Sequence, residues 1–374
     1  MKILYVGDSK SIHDLRFLRK LSQEKYEVDV LTLIDDPIQV ERVTYHVMPN
    51  ARVRTGNRLK DDILYLPTVL EWRKRIRALV KEVEPDVLHG GWIPQHGFIS
   101  ALSGFHPFLL MPWGSDVLIL PWNASRIARA QYIWTIRKAD MITCDAEHVK
   151  SRIVELSDYN PNRIVVFPWG VDLSVFDPNV SGNDIRERLG WEENEIVIST
   201  RSLEPVYGIG HLLRAFMHLV KKRPEVRLLI CGEGSSLTDL TTYIEMNGLQ
   251  ELVQFEGSVN NSDLPKYLAA ADLYVSTSLS DGTSLSLLEA LAMSLPVVVS
   301  DIPSNREWVR DDVNGLLVDP QDVLAISHAM HMLLENGEQS KLFGERNLAI
   351  AKEKADWDVN FGKLESIYQS LTKR

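Results

Sequence analysis

Short apolar runs alternate with amphipathic stretches along the whole chain. In the first half, seven runs are typical of strands: KILYVG, VDVLTLI, TYHVMP, DVLHGG, FLLMPW, MITCD and IVVFP. The second half repeats the scheme with IVIST, VRLLICG, LVQFEG, LYVSTS, PVVVSD and GLLV, and with helical stretches such as His211 to Lys222 and Leu264 to Ala271. Apolar runs joined by segments long enough for crossover helices predict parallel sheets covered by helices on both faces.

The periodicity stops at residues 167–184, where Pro, Gly, Asn and Asp cluster. We place a domain boundary there. The prediction is an N-terminal domain of residues 1–173, a C-terminal domain of residues 174–355, and a helix in residues 356–374 that packs back toward the N-terminal domain. Both domains are predicted to be α/β, with Rossmann-like doubly wound sheets. Because ligands bind beyond the carboxyl ends of such strands, we expect the chemistry there, in a deep cleft between two facing domains.

The composition is that of a globular protein, with 374 residues of which 45% are hydrophobic and 25% charged. A net charge of −10 argues against a nucleic-acid partner, which needs a positive surface. Cys144 and Cys231 lie far apart near the ends of apolar runs, which predicts reduced packing residues and a cytoplasmic protein. No apolar run is long enough to span a bilayer, and Asp8 follows the first run too early for a signal peptide.

One segment is basic although the chain as a whole is acidic. Residues 52–81 carry nine Lys or Arg against three Asp or Glu, and Trp72 among them looks exposed. Two interpretations stay open for this segment. It is either a peripheral contact with anionic lipid headgroups on the inner face of the membrane, or a solvated helix face.

The most informative stretch is residues 273–301, which reads as strand, loop, helix and strand. Asp281 forms a turn with the next residue, and a hydroxyl at 283 or 284 can cap the following helix. A helix start offers free N–H groups and a partial positive charge, which suit a diphosphate. The candidate donor-binding residues here are Gly282, Thr283, Ser284, Leu285, Ser286 and, two turns along the helix, Glu289. The alternative is a simple turn at Asp281 and a solvated Glu289.

This stretch resembles glycosyltransferase family 4, whose signature has two acidic residues separated by seven; here they are Asp281 and Glu289. The resemblance covers most of the chain and is stronger in the C-terminal half. It implies a GT-B fold and retaining transfer from a nucleotide-sugar, without metal or other cofactor. By resemblance, Asp281 contacts hydroxyls of the donor sugar, Glu289 binds the ribose, and amides of residues 283–286 hold the diphosphate. Asp281 stands where Glu is more usual, which keeps the charge but shortens its reach.

Two further segments extend the resemblance. In residues 199–216 Arg201 matches an arginine that neutralises the leaving diphosphate, whereas Tyr207 stands where a lysine is usual. A phenol can donate one hydrogen bond but carries no positive charge. Residues 252–278 resemble the base-binding strand, loop and helix, which places Gly257, Ser258 and Val259 near the nucleotide base.

The first domain offers weaker acceptor-side candidates. Gly7, Asp8 and His13 qualify by their position after the first strand, although a structural role for His13 is the stronger interpretation. In MPWGSDV, Trp113 stands where the family commonly has a histidine, and Asp116 is a candidate for orienting a hydroxyl of the acceptor or donor. Two roles are equally compatible with Trp113: stacking on a sugar ring at the wall of a site, and packing as an aromatic residue of the core.

HGGWIPQHG, residues 89–97, follows another strand and supplies His89, Trp92 and His96. Trp92 is a further acceptor-side candidate. Two histidines raise the question of a metal, but no carboxylate accompanies them, so we predict no metal site.

Together with these residues, the resemblance implies a retaining hexosyltransferase that uses a UDP- or GDP-linked sugar and a glycan, lipid-linked or small-molecule acceptor. The predicted catalytic residues are Asp281, Arg201 and Asp116. Two alternatives remain: a sugar-nucleotide epimerase of the same fold, and a non-catalytic sugar-nucleotide-binding protein.

Overall fold

The computed structural model describes residues 1–48 and 58–373, with side chains described for residues 1–48 and 67–373. The chain divides into two compact units, Met1–Phe167 with Lys363–Arg374, and Pro168–Gly362. The domain boundaries predicted from the sequence lie after residues 173 and 355. We describe each unit by itself.

The first unit contains a seven-stranded sheet in the order β3-β2-β1-β4-β5-β6-β7, with every recorded pairing parallel. The strands are β1 (Lys2–Val6), β2 (Glu27–Thr32), β3 (Val43–Val47), β4 (Val87–Gly91), β5 (Phe108–Met111), β6 (Met141–Cys144) and β7 (Ile164–Val166). The helices are α1 (Ile12–Gln23), α2 (Arg58–Val83), α3 (Phe98–Ser103), α4 (Ser115–Leu118), α5 (Leu120–Asn123), α6 (Arg126–Lys138) and α7 (Glu147–Ser157). A π-helix spans Ile93–Gly97.

The second unit contains a six-stranded parallel sheet in the order β10-β9-β8-β11-β12-β13. Its strands are β8 (Ile196–Ser199), β9 (Arg227–Cys231), β10 (Val253–Gly257), β11 (Leu273–Ser276), β12 (Val297–Ser300) and β13 (Leu316–Val318). The helices are α8 (Asn183–Leu189), α9 (Ile209–Val220), α10 (Leu237–Met246), α11 (Leu264–Ala269), α12 (Leu285–Ala292), α13 (Pro303–Arg306), α14 (Val323–Glu335), α15 (Gly337–Lys354) and α16 (Trp357–Thr372), whose last residues belong to the first unit.

Alternate residues of the second sheet enter two different cores. Tyr274 packs with α12 and α15 on one face, whereas Leu273 and Val275 pack with α9 and α14 on the other. Both faces are therefore apolar, as expected for parallel strands covered on both sides. Every predicted strand is present, and the α/β prediction with two doubly wound sheets is confirmed. Cys144 and Cys231 are buried and free, as predicted.

Trp72 corrects one prediction. It is 1% exposed and packs in the core of the first unit with Ile76, Leu79 and Val83. Those spacings of four, three and four residues place all four side chains on one face of α2. The prediction that Trp72 is exposed was therefore wrong. The basic side chains that follow it, Arg73, Lys74, Arg75, Arg77 and Lys81, are exposed. Arg52 and Arg54, and the side chains of Arg58 and Lys60, lie outside the described residues.

No helix in the described part of the chain combines the length and the apolar character needed to cross a membrane.

Candidate functional site

Polar residues converge at the centre of the second sheet. Arg201 follows β8, and the loop from Leu279 to Ser284 follows β11, which is the neighbour of β8. The chain passes from β8 to β9 on one side and returns to β11 on the other, so the strand order reverses at this point. Such a switch point leaves an open crevice at the carboxyl ends of the two strands and is the usual ligand site of doubly wound sheets.

Arg201 is held by three side chains of that loop and helix. One terminal nitrogen, Nη1, donates to Ser284 Oγ at 2.6 Å and to Ser286 Oγ at 2.8 Å, and Nη2 donates to Asp281 Oδ2 at 2.6 Å. Arg201 is only 7% exposed. We call Arg201, Tyr207, Asp281, Ser284 and Ser286 the arginine cluster. These contacts from three side chains hold the guanidinium in one position.

Tyr207 covers the guanidinium. The Cζ atom of Arg201 lies 4.1 Å from the centroid of the Tyr207 ring. The loop that carries Tyr207 is tied to the loop after β11, because Leu279 donates its N–H to the carbonyl of Val206 at 2.8 Å. Gly208 makes this approach possible, since it has φ +65° and a Cβ there would lie 2.2 Å from the carbonyl oxygen of Thr277. Tyr207 therefore stacks on the cation instead of adding a second one.

The helix α12 begins directly at the cluster. Ser284 is its N-cap, and its Oγ accepts the N–H of Leu287 at 3.3 Å while also accepting from Arg201. Burial lowers the pKa of Arg201, but nearby acidic groups, Asp281 first and then Tyr274, Tyr207 and Glu289, outweigh it and leave that pKa raised. The guanidinium therefore stays charged. A buried cation beside a helix N-terminus is an arrangement that binds anions.

The remaining donor-side candidates lie on the loop after β11, on α12 and at the end of β10. Gly282 and Thr283 are buried in the loop, whereas Leu285 and Glu289 on α12 are partly exposed. At the end of β10, Ser258 donates its N–H to Glu233 Oε1 at 3.3 Å, and Gly257 has φ +69°. Val259 packs against the core. The sequence had not singled out Glu233, whose carbonyl also accepts the N–H of Leu203 at 2.8 Å in the turn after Arg201.

The first unit has a pocket at the corresponding switch point, between β1 and β4. It encloses about 290 Å³ and is lined by Asp8, Ser11, Asp14, Leu33, Ile34, Trp92, Gln95, His96 and Trp113. We call it the tryptophan pocket. It brings together Asp8, Trp92 and Trp113 from the predicted acceptor-side set.

Gly7 and His13 lie beside this pocket. The exposed His13 stacks on Trp113, with ring centroids 5.2 Å apart. A Cβ at Gly7 would lie 2.5 Å from Cε1 of Tyr5, so a side chain there would displace that ring.

Asp14 is a pocket residue that the sequence analysis missed. It is 2% exposed; its Oδ1 accepts the Tyr5 hydroxyl at 2.6 Å and its Oδ2 accepts the N–H of Asp8 at 2.8 Å. Burial raises the pKa of Asp14 to about 7, although both hydrogen bonds oppose the rise. The only available signal was its place in the first turn of the helix after β1, which is also typical of a capping residue.

Asp116 is fully buried and holds two loops together. Its Oδ2 accepts the N–H of Ile93 and its Oδ1 accepts the N–H of Trp113, both at 2.9 Å. Burial raises the pKa of Asp116 to about 6. The residue before Ile93 is Trp92, whose φ of +27° is strained for a side chain of this size. Asp116 thus positions both tryptophans of the pocket through their backbone.

The two histidines of the β4 segment have separate environments. Nδ1 of His89 lies 2.5 Å from the Tyr368 hydroxyl, and burial lowers the pKa of His89 to about 3. His96 lines the tryptophan pocket, and burial lowers its pKa to about 4. Both are therefore neutral near pH 7. Among the described residues, no group of three or more His, Cys, Asp or Glu side chains is placed to hold a metal ion.

Comparison with known proteins agrees with this architecture. The family model described as "Glycosyl transferases group 1" matches residues 182–348, and the one described as "Glycosyl transferase 4-like" matches residues 2–146. HepE from Anabaena, solved in complex with UDP, superposes with a TM-score of 0.81 at 18% identity, covering 99% of this chain and 100% of that one. This likeness concerns the fold.

Curated relatives are similar over part of their length. A D-inositol 3-phosphate glycosyltransferase of Xylanimonas cellulosilytica is 28% identical over 250 residues, 64% of this chain and 59% of that protein. A GDP-mannose-dependent alpha-(1-6)-phosphatidylinositol monomannoside mannosyltransferase of Mycolicibacterium smegmatis is 28% identical over 255 residues, 66% of each chain. The chain spans between about half and two thirds of the length of the curated relatives it matches. With both family models matched in order along two doubly wound units, the chain belongs to the family 4-like glycosyltransferases of GT-B fold.

Proposed function

We propose that this protein transfers a hexose from a UDP- or GDP-linked sugar to an acceptor hydroxyl, with retention of the anomeric configuration. The observation that carries the proposal is the arginine cluster. It places a buried, pre-positioned guanidinium at a helix N-terminus, in the switch point of a Rossmann-like sheet. The UDP complex of HepE and the GDP-mannose dependence in the name of the mycobacterial relative support a nucleotide-sugar donor.

In the proposed donor complex, the diphosphate binds Arg201 and the amides at the start of α12. Asp281, which is part-exposed beside Arg201, receives hydroxyls of the sugar, and Glu289 receives the ribose two turns further along the helix. The base lies against residues 257–259. Each of these groups is presented at the carboxyl end of a strand or on α12.

In the proposed reaction, the bond between the anomeric carbon and the diphosphate oxygen breaks, and the electron pair leaves with the nucleoside diphosphate. The acceptor hydroxyl attacks from the same face, and its proton passes to the departing phosphate. Negative charge therefore develops on the leaving oxygen. Arg201 and the helix N-terminus stabilise that charge, and the proposal includes no metal and no other cofactor.

The test is transfer by the Arg201→Ala variant. We expect kcat to fall at least about a hundredfold, as when a donor to a developing oxyanion is removed. The matched control is Arg306→Ala, because Arg306 also forms an ion pair with an aspartate, Asp301, but its side chain is 59% exposed. Near-wild-type transfer by a folded Arg201→Ala protein would refute the proposal.

Product analysis separates the alternatives. A sugar-nucleotide isomer formed without added acceptor would establish an epimerase. A bound donor that is neither transferred nor slowly hydrolysed would establish a non-catalytic binding protein.

The acceptor is proposed to be a glycan or a lipid-linked saccharide, and the protein to be cytoplasmic. The basic side chains of α2 from Arg73 to Lys81 would then contact anionic lipid on the inner face of the membrane. Sedimentation with liposomes should increase with their content of anionic lipid. Binding that is independent of that content would exclude this contact.

A further inference from the structure

Another cavity of the first unit lies at the amino end of β5, away from the carboxyl ends of the strands where the candidate sites lie. It encloses about 360 Å³ between α2, the end of α3 and α6. Its lining includes Arg73 and Arg77 from α2, and Trp134 and Lys138 from α6. We call this cavity the basic pocket. Its size and its concave shape are those of a site for a small ligand.

The positive charges of the basic pocket are uncompensated. Arg73, Arg77 and Lys138 form no ion pair with a carboxylate in the described part of the chain. By contrast, Arg75 on the same helix pairs with Glu71 at 2.5 Å. Cations without counterions around a concave surface raise the local concentration of anions. The pocket is therefore a local attractor of anions in a chain whose net charge is −10.

Arg77 is held with most of its donors still available. Its Nε donates to the carbonyl of Ser103, at the end of α3, at 3.1 Å. The terminal nitrogens Nη1 and Nη2 remain for a ligand. The next residue, Gly104, has φ +68°, and a Cβ there would lie 3.6 Å from Nη2. The lack of a side chain at Gly104 thus leaves room beside the guanidinium. Arg73 lies one turn earlier on the same face of α2.

The wall formed by α6 adds an aromatic surface to these charges. Trp134 and Lys138 are four residues apart, and Nζ of Lys138 lies 5.8 Å from the centroid of the Trp134 ring. The ring packs edge-on against Phe98, with centroids 5.7 Å apart, and 37% of Trp134 stays exposed. The indole is therefore held in place while part of it can contact a ligand. Such a wall suits an organic group that carries the anion.

The carboxylate beside the pocket is already engaged. Oδ2 of Asp140 accepts the N–H of Phe108 at 2.7 Å and lies 2.7 Å from Nδ1 of His106. It thus does not neutralise the Arg and Lys side chains. A phosphate group brings at least three acceptor oxygens and up to two negative charges, whereas a carboxylate brings two oxygens and one charge. Cations presented from two helices match the phosphate better.

We infer that the basic pocket binds a phosphate ester, with the phosphate among Arg73, Arg77 and Lys138 and the organic group against Trp134. Charge-assisted hydrogen bonds from the guanidinium groups hold the phosphate oxygens. This site is separate from the proposed transfer chemistry and does not depend on it. It also differs from the general lipid contact proposed for α2, because it requires α6 and uses only two of the basic residues of α2.

The test uses a signal that arises in the pocket itself. The indole N–H resonance of Trp134 is assigned in the ¹⁵N-labelled protein by its loss in Trp134→Phe. The protein is titrated with inorganic phosphate and with glycerol 3-phosphate, and with sodium chloride at the same ionic strength. We expect both phosphates, but not chloride, to move this resonance until it saturates. Because the probe is local, binding of phosphate at the arginine cluster does not imitate the result.

Two double variants with the same change in net charge provide the matched test. Arg73→Gln with Lys138→Gln removes two charges from the pocket, whereas Lys74→Gln with Lys81→Gln removes two exposed charges of α2 that do not line it. The Kd for glycerol 3-phosphate should rise at least about tenfold in the first variant and less than about twofold in the second. Arg77 is left unchanged because it ties α2 to α3.

Cosedimentation with phosphatidylcholine vesicles, with and without phosphatidate, identifies the source of the phosphate. Binding to phosphatidate vesicles that is lost only in the pocket variant would support the site with a lipid headgroup as ligand. Saturable binding of glycerol 3-phosphate without such vesicle binding would support it with a soluble ester.

Two results would overturn the inference: no saturable shift with either phosphate together with no pocket-dependent binding to vesicles, or an equal loss of binding in the two double variants. Either result would leave the proposed transfer untouched, since that is tested at Arg201.

Discussion

Replacing Asp281 by asparagine removes one negative charge from the arginine cluster and preserves the shape of the side chain. In the native protein Asp281 accepts from Arg201 at 2.6 Å, and the two side chains are 17% and 8% exposed. Removing one partner of a buried ion pair costs about 3–5 kcal/mol, because the remaining charge loses its compensation. The amide oxygen of asparagine keeps one hydrogen bond to Arg201, so we expect a loss of about 2 kcal/mol in the free energy of unfolding.

The same substitution should change nucleotide binding in the opposite direction. In the wild type, Asp281 and a diphosphate compete for one guanidinium. With a neutral amide at this position, we expect UDP to bind about three- to tenfold more tightly, because the competing charge is gone. Transfer should nevertheless fall about a hundredfold, because the proposed contact of the carboxylate with the donor sugar is lost.

Three measurements on one variant test this reasoning: urea denaturation, UDP titration calorimetry and the initial rate of transfer. The matched control is Asp301→Asn, which breaks the exposed pair with Arg306 in the same unit. An exposed pair contributes little, so we expect no measurable change in the denaturation midpoint of the control. If the two variants lose equal stability, or if UDP binds more weakly to Asp281→Asn, our account of the arginine cluster is wrong.

Three further variants test individual contacts. Tyr207→Phe should retain the stability of the wild type because the ring over Arg201 is kept, whereas Tyr207→Leu should lose about 1 kcal/mol in thermal unfolding; equal loss by both would contradict the stacking role. Asp14 has a pKa raised to about 7 by burial, so the native state binds its proton more tightly than the unfolded state, and the contribution of this group falls as pH rises from about 4 to 7. We therefore expect the difference in unfolding free energy between the wild type and Asp14→Asn to decrease over that range by up to about 1.4 kcal/mol per pH unit. If urea denaturation shows the same difference at every pH, this account of Asp14 is wrong. Asp116→Asn can accept only one of the two backbone N–H groups, so it should cost about 1–3 kcal/mol and alter the tryptophan near-UV circular dichroism; an unchanged spectrum would contradict the positioning role.

The strands and the donor-side loop were predictable because both are local in the sequence. A strand buried on both faces, such as LYVS in β11, is apolar at nearly every position, and its short length between turn residues distinguishes it from a helix. The turn at Asp281 and the cap at Ser284 follow from side chains that act within three residues. The helix start at Leu285 was therefore visible before any tertiary contact was known.

The contacts that complete the sites are long-range and could not be predicted in this way. Arg201 reaches Ser284 and Ser286 across more than 80 residues of sequence. Asp14 accepts the hydroxyl of Tyr5, nine positions earlier on β1, and this contact between a strand and the following helix is not written in the local pattern. For Trp72, the local density of basic residues suggested exposure, although its spacing to Ile76 and Leu79 already placed it on the apolar face of α2.

Two of the three departures from the family pattern have the same physical form. Tyr207 stands where a lysine is usual, and its ring stacks on the guanidinium of Arg201. Trp113 stands where a histidine is common, and its ring stacks on the imidazole of His13. In each unit an aromatic ring thus replaces a polar side chain and packs on a basic group already present. Because a ring orients a neighbouring cation without adding charge, Arg201 alone supplies the side-chain cation of the cluster. In the proposed transfer, the N-terminus of α12 therefore shares the leaving-group charge with Arg201, because Tyr207 adds no cation.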